Sequence, residues 1–342
     1  MGISRPSNAA ASQTTLKLGS DRSSTSPLDA SDSMDRHAHS VGLATNRGGK
    51  NTHEDAYFIG GTLPDRMTLN GYSAQNMGGC FGIFDGHGGD RASRFCAEYL
   101  FPRIAEELTH TSDVGKAMIA AVRAVDAEFC EICVSVNQAH LARAPTVFGL
   151  PSTVYQTHRM EDGSTCLIAM IRDGVLYVGN VGDSRAILST KAGDFVSMSI
   201  DQKPDRKDER ERLEARGAKV TGSPSFMYKV WPFHKFLDVP RVNGALAMSR
   251  SIGDRSLKSW IICDPEITTH QIRPEDRFLI MATDGLWDVV PSKIAARVAA
   301  TTTNPQVLAE VLLKMALERK SYDNVTVLVV DVQTYMVASA GT

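Results

Sequence analysis

Two apolar runs lie far apart in the chain, and each ends in an acid. Cys80-Phe-Gly-Ile-Phe leads into Asp85, and Phe278-Leu-Ile-Met-Ala-Thr leads into Asp284. Continuous apolar runs of this length, bounded by glycine, predict buried strands. The same pattern places strands at 78–85, 164–171, 174–180, 185–189, 277–282 and 325–332. Arg172-Asp173-Gly174, between the second and third of these, reads as a hairpin turn, so antiparallel pairing is expected. Apolar positions at three- and four-residue spacing predict helices after Gly89 (91–100) and from Val114 through Met118, Val122, Val125 and Phe129 to Ile132. Three more helices are expected: 205–216, with Pro204 before it and Gly217 as its C′ residue, then 291–300 and 305–319. Strands and helices are partly segregated, which favours an α+β fold over a doubly wound sheet.

The flanks and two internal stretches break this pattern. Residues 1–37 are rich in Ser, Thr, Ala and Asp, poor in large apolar residues, and read as disordered. Gly2 does not begin a myristoylation motif, because Pro6 stands where Ser or Thr is needed. One globular domain is expected over 38–335, followed by a tail at 336–342. Residues 141–160 and 221–240 read as functional or irregular loops.

Composition narrows the class. The chain has 342 residues, 42% hydrophobic and 22% charged, an ordinary globular balance. A net charge of -2 gives no reason to expect a nucleic-acid partner. No apolar stretch reaches the roughly 18 residues that span a bilayer, and there is no secretory h-region. Six scattered cysteines fit a reducing compartment, so a cytoplasmic or nuclear location is expected. Cys130-x-x-Cys133 sits in a helical pattern without a second pair, and reads as core packing.

The acids carry the chemistry. Glu54-Asp55 precedes Ala-Tyr-Phe-Ile, Asp183 follows a buried strand, Asp284 and Asp288 bracket Gly-Leu-Trp, and Asp323-Asn324 leads into the last strand. Any one of them can be a turn cap. Jointly, carboxylates without histidine or cysteine partners suit hard cations such as Mg²⁺ or Mn²⁺. Such a cluster can hold two metals about 4 Å apart, activate a water and clamp a phosphoryl group.

Eight motifs, in order, resemble those of the metal-dependent type 2C Ser/Thr protein phosphatases, the PPM family. They are Glu54-Asp55-Ala56, Asp85-Gly-His-Gly-Gly89, Gly163-Ser-Thr165, Gly179-Asn-Val-Gly-Asp-Ser-Arg185, Asp201-Gln-Lys-Pro204, the run from Arg241-Val-Asn-Gly to Asp254, Thr283-Asp-Gly-Leu-Trp-Asp288 and Asp323-Asn-Val-Thr326. The resemblance implies two stacked antiparallel β-sheets flanked by helices, an α-β-β-α sandwich with a metal channel at one end. It implies that Asp85 bridges two metal ions, with Asp284 and Asp323 completing the first. Glu54 and the Gly86 carbonyl serve the second, Asp55 holds metal-bound waters, and Asp183 and Asp288 bind a weaker third. Hydrolysis of phosphoserine or phosphothreonine would then proceed by direct attack of a metal-bridging water, with His87 as general acid. Phosphoproteins are the implied partners of a monomer.

Two departures stand out. Many members of that family have an arginine four residues before the Glu, where it binds phosphate. Lys50 stands there in this chain, with Arg47 as an alternative, and lysine gives a point charge instead of a bidentate fork. The segment 221–240 is longer than in short relatives, and its Tyr228, Trp231, Phe233 and Phe236 are candidates for substrate contact. Arg250 and Asp254 read as loop stabilisers, Trp287 as a packing anchor, and the mixed-charge run from Asp205 to Arg212 as a solvated helix face. A catalytically weak or inactive relative that binds phosphoproteins is the alternative, but every implied two-metal ligand is present. A two-metal nuclease would need a basic groove, of which the charge balance gives no sign.

Overall fold

The computed structural model describes residues 40–60, 68–69, 72–73, 78–143, 146–147, 150–151, 160–222 and 239–337. The expected disordered segment, most of the 141–160 loop, and Tyr228, Trp231, Phe233 and Phe236 lie outside the described residues.

The main strands are β1 (Val41–Asn46), β2 (Ala56–Gly60), β3 (Gly79–Phe84), β4 (Cys166–Arg172), β5 (Val175–Val181), β6 (Arg185–Thr190), β7 (Phe195–Ser197), β8 (Glu266–Gln271), β9 (Asp276–Ala282) and β10 (Val325–Asp331). They form two five-stranded sheets, one in the order β1-β10-β9-β6-β7 and the other β8-β5-β4-β3-β2. All of these pairings are antiparallel. The main helices are α1 (Arg91–His110), α2 (Val114–Arg143), α3 (Lys207–Ala215), α4 (Asp284–Trp287), α5 (Ser292–Ala299) and α6 (Pro305–Glu318).

The period of two along each strand explains the layers. Phe81 and Ile83 of β3, Leu167 and Ala169 of β4, Leu279 and Met281 of β9, and Leu328 and Val330 of β10 share one core between the two sheets. The alternate residues face outward. Phe84, Ile168 and Met170 meet Leu100, Phe101 and Ile104 of α1 and Met118, Val122 and Val125 of α2. Phe278, Ile280 and Val327 meet Ala295 and Ala296 of α5 and Leu308 and Leu312 of α6. A strand covered on both faces must be apolar at every position, which is why these runs are continuous. The result is the expected α-β-β-α sandwich.

The charged run on α3 departs from expectation. Glu209 is only 1% exposed, so this face is not simply solvated. Its carboxylate accepts from Arg250 at 2.5 and 3.1 Å, from Arg212 at 2.7 Å and from Ser249 at 2.5 Å. The physical reason is that α3 packs Leu213 against the 242–261 loop region, which brings Arg250 over the neighbouring turn of the helix. Asp208, Glu209 and Glu266 gather closely enough to suggest a metal cluster, but Arg206, Arg212 and Arg250 neutralise them. Cys133 is buried and Cys130 half-buried, as core packing requires. Burial pushes their thiols up to about 11 and about 12, so neither is an activated nucleophile.

Candidate active site

Antiparallel pairing sorts the acids to one end of the sandwich. In one sheet, Ala56 faces Phe84 and Cys166 faces Val181, so Asp55, Asp85, Thr165 and Asp183 leave the sheet on the same edge. In the other, Val327 faces Ala282 and Val325 faces Asn46, which brings Asp284, Asp323 and the 46–54 loop to one edge. The turn from β5 to β6, which carries Asp183, crosses from one sheet to the other. The two edges therefore meet, and the two apolar runs of the sequence deliver Asp85 and Asp284 from opposite sheets.

Hydrogen bonds set each backbone in place. Thr165 holds Asp85 from both sides: its N–H donates to the Asp85 carbonyl at 2.9 Å, and its Oγ1 accepts from the Asp85 N–H at 3.0 Å. Asn324 ties the loop of Glu54 to β10: its Oδ1 accepts the Glu54 N–H at 2.8 Å, and its Nδ2 donates to the carbonyls of Arg47 and Thr52. Thr326 donates to Asp55 Oδ2 at 2.6 Å. Trp287 is the anchor expected, its Nε1 donating to the carbonyls of Arg185 and Ala282 at 3.0 Å. Asp288, one turn after Asp284 in the α4 segment, is exposed at the rim.

Desolvation and mutual repulsion dominate the electrostatics of these carboxylates. Asp85 is pushed well above the usual carboxylate range, first by desolvation and then by the charges of Asp55, Asp284, Asp183 and Asp323. Asp284 is raised by desolvation and then by Asp183 and Asp288, against the opposing pull of Lys203. Asp55 is raised by desolvation, against the Thr326 bond. Two lysines answer part of this charge. Lys203 forms an ion pair with the buried Asp183. Lys50 Nζ lies 2.8 Å from Asp323 Oδ1, with the two side chains 46% and 43% exposed. Arg47 instead donates to the carbonyl of Asn51 within its own loop, at 3.4 Å.

The residues fit hard divalent cations. Asp55 Oδ1 and Asp183 Oδ1 are buried carboxylate oxygens without a hydrogen-bond partner. Such oxygens are costly unless an ion takes them up. A Cβ at Gly86 would lie 2.4 Å from the Glu54 carbonyl and 2.8 Å from Ser93 Oγ, so only glycine lets this backbone approach Glu54. Glu54, Asp85, the Gly86 carbonyl, Asp284 and Asp323 all present oxygen, the donor that Mg²⁺ and Mn²⁺ prefer.

His87 stands beside this cluster, and its partner is the residue that sequence reasoning assigned to loop stabilisation. Asp254 Oδ2 lies 2.7 Å from His87 Nε2. Desolvation lowers the imidazole pKa, but the bond and charge of Asp254, with Asp183 and Glu54, outweigh it and leave the pKa raised. Nothing local joins positions 87 and 254; only the pairing of Ile252–Gly253 and Gly86–His87 with Gly163–Ser164 brings them together. Lys203 was also missed as a site residue, although it lies within the Asp201-Gln-Lys-Pro204 motif.

The fold is an α+β sandwich with a group of buried carboxylates at one end. The family model for protein phosphatase 2C matches residues 39–325. A probable protein phosphatase 2C 52 of Oryza sativa subsp. japonica is 36% identical over 294 residues, 86% of this chain and 50% of the relative. A probable protein phosphatase 2C 76 of Arabidopsis thaliana is 35% identical over 292 residues, 85% and 58% of the two chains. The chain belongs to the protein phosphatase 2C family. It spans 50% and 58% of the length of these two relatives. The crystal structure of a serine-threonine phosphatase 2C from Toxoplasma gondii has the same fold, with a TM-score of 0.63 at 22% identity, over 85% of this chain and 94% of that one.

Proposed function

We propose that this chain is a metal-dependent protein serine/threonine phosphatase acting on phosphoproteins. The observation that carries the reading is the convergence of five acids from two sheets on one site, with two buried carboxylate oxygens unpaired. Glu54, Asp85, the Gly86 carbonyl, Asp284 and Asp323 would hold two Mg²⁺ or Mn²⁺ ions. When bound, the ions lower the pKa of a water for attack on phosphorus and clamp the phosphoryl oxygens. Asp183 and Asp288 would take a third ion weakly, because Lys203 already neutralises Asp183.

The chain's own residues do the rest. Asp55, fixed by Thr326, turns its free oxygen toward the attacking water and orients it. His87 gives a proton to the serine or threonine oxygen as it departs, since an alkoxide is a poor leaving group. Lys50 meets the substrate phosphate at the mouth. A cation held by Asp323 would compete with the Lys50 ammonium for that carboxylate and leave Lys50 available to phosphate.

The test is release of inorganic phosphate from a phosphothreonine peptide in the presence of Mn²⁺; no release would contradict the reading. In the same assay Lys50→Met should raise KM about 10-fold, the lower end of what a charge-assisted hydrogen bond contributes. It should also lower the Mn²⁺ concentration needed for half-maximal rate, because Asp323 loses its internal counter-ion. An unchanged KM would show that Lys50 does not bind the phosphate.

A further inference from the structure

We propose that Asp254 is a positioning residue for His87: it fixes the imidazole through Nε2 and leaves Nδ1 as the nitrogen that delivers the proton. This rests on the reading of His87 as the general acid.

The geometry assigns the roles. Asp254 Oδ2 accepts the Ser251 hydroxyl at 2.6 Å as well as facing His87 Nε2 at 2.7 Å. An oxygen that is an acceptor on both sides makes Nε2 the N–H donor. The other ring nitrogen, Nδ1, is buried without a hydrogen-bond partner among the described residues. A buried imidazole nitrogen without a protein partner is the one left to serve a substrate atom.

The surroundings are built around this pair. Asp254 is 6% exposed and holds a left-handed backbone, φ 45° and ψ 46°, that a non-glycine residue adopts at some cost. Its N–H donates to the carbonyl of Asp162 at 3.0 Å. A Cβ on Gly163 would lie 2.2 Å from both Asp254 Oδ2 and His87 Nε2, so the glycine of Gly163-Ser-Thr165 is what admits the ion pair. A carboxylate needed only to pin its own loop would not call for a glycine from another strand opposite the histidine.

The step balances without further reagents. The water oxygen bonds to phosphorus as the bond from phosphorus to the serine or threonine oxygen breaks. That oxygen takes the Nδ1 proton and leaves as the alcohol. The imidazole is left neutral with its hydrogen on Nε2, held by Asp254. The proton lost by the attacking water goes to solvent, and solvent returns one to Nδ1.

Leaving-group dependence tests this. A phosphoserine peptide expels a basic alkoxide that needs a proton, whereas p-nitrophenyl phosphate expels a stabilised phenolate that does not. Asp254→Asn should lower kcat on the peptide about 30-fold, a part of the roughly 10²–10⁴-fold that general acid–base catalysis contributes, with KM little changed. It should lower kcat on p-nitrophenyl phosphate less than about 3-fold, and Asp254→Glu should recover part of the peptide rate. Equal losses on both substrates, or a change in KM alone, would assign Asp254 to loop structure and overturn the proposal. His87→Asn runs in parallel. If it lacks the leaving-group dependence, the general-acid reading fails and the proposal with it. If it shows the dependence and Asp254→Asn does not, only the role of Asp254 falls. Long-range ¹H–¹⁵N correlation spectra of histidine-labelled wild-type protein need no variant to fold. The neutral ring should carry its hydrogen on Nε2, and the Nδ1–H tautomer would overturn the assignment.

Discussion

Asp85→Asn should lose phosphopeptide hydrolysis by at least about 1,000-fold, well beyond the 10–100-fold typical of residues that only orient a metal ligand. Asp85 stands at the centre of the acid cluster, within the electrostatic reach of Asp55, Asp284, Asp183 and Asp323. An amide of the same shape keeps the backbone hydrogen bonds to Thr165 but removes the charge that two cations would share. Misfolding would be a trivial cause of such a loss, and stability separates the two. The metal-free site holds carboxylates that repel one another, so removing one charge should leave the metal-free variant at least as stable as the wild type. Wild-type protein should gain thermal stability on adding Mn²⁺, by mass action, and the variant should gain little. Thermal melts with and without Mn²⁺, together with phosphate release, check this. Full activity in Asp85→Asn, or an unchanged Mn²⁺-induced rise in Tm, would remove Asp85 from the centre.

Glu209→Gln should destabilise the fold by about 3–5 kcal/mol, the range for breaking a buried ion pair from one side. Arg250, Arg212 and Ser249 all donate to this carboxylate, and the glutamine would leave guanidinium charge buried without its counter-ion. The same contacts give the pH dependence. Desolvation pushes the Glu209 pKa up, but the bonds from Arg250, Arg212 and Ser249 prevail and hold it at about 2, below its ordinary 4.5. A depressed carboxylate stabilises the fold above its unfolded value and loses that contribution as pH falls through the folded one. Wild-type stability should therefore decline from about pH 4.5 toward about 2, and Glu209→Gln should flatten that part of the profile. Urea unfolding at several pH values measures both effects. A loss below about 1 kcal/mol would mean that the network is solvated, as the charge pattern of the run 205–212 first suggests.

How much was legible follows from where each strand sits. The six strands expected from continuous apolar runs are the three interior strands of each sheet: β10, β9 and β6 in one, β5, β4 and β3 in the other. The strands without a clear signal, β1, β2, β7 and β8, are the four edges. An edge strand has one neighbour and a partly wet side, so Glu266-Ile-Thr-Thr-His-Gln271 can be a strand without an apolar run. The site splits in a similar way. Asp85 and Asp284 were legible because a buried strand running into an acid is unusual in itself. Asp254 was not, because its meaning depends on a partner 167 positions away. Glu209 was not, because a mixed-charge helix reads alike whether its counter-ions face water or another loop. Lys50 was recognised as a departure, but its bond to Asp323 needed the pairing of β1 with β10 to bring the two loops together.

The central claim is that hydrolysis depends on cations held by these acids. Phosphate release from a phosphothreonine peptide by protein stripped with EDTA and then titrated with Mn²⁺ tests it most directly. The expected result is no measurable release in EDTA and full recovery on adding Mn²⁺, with Asp85→Asn silent throughout. Release that persists in EDTA would contradict the account.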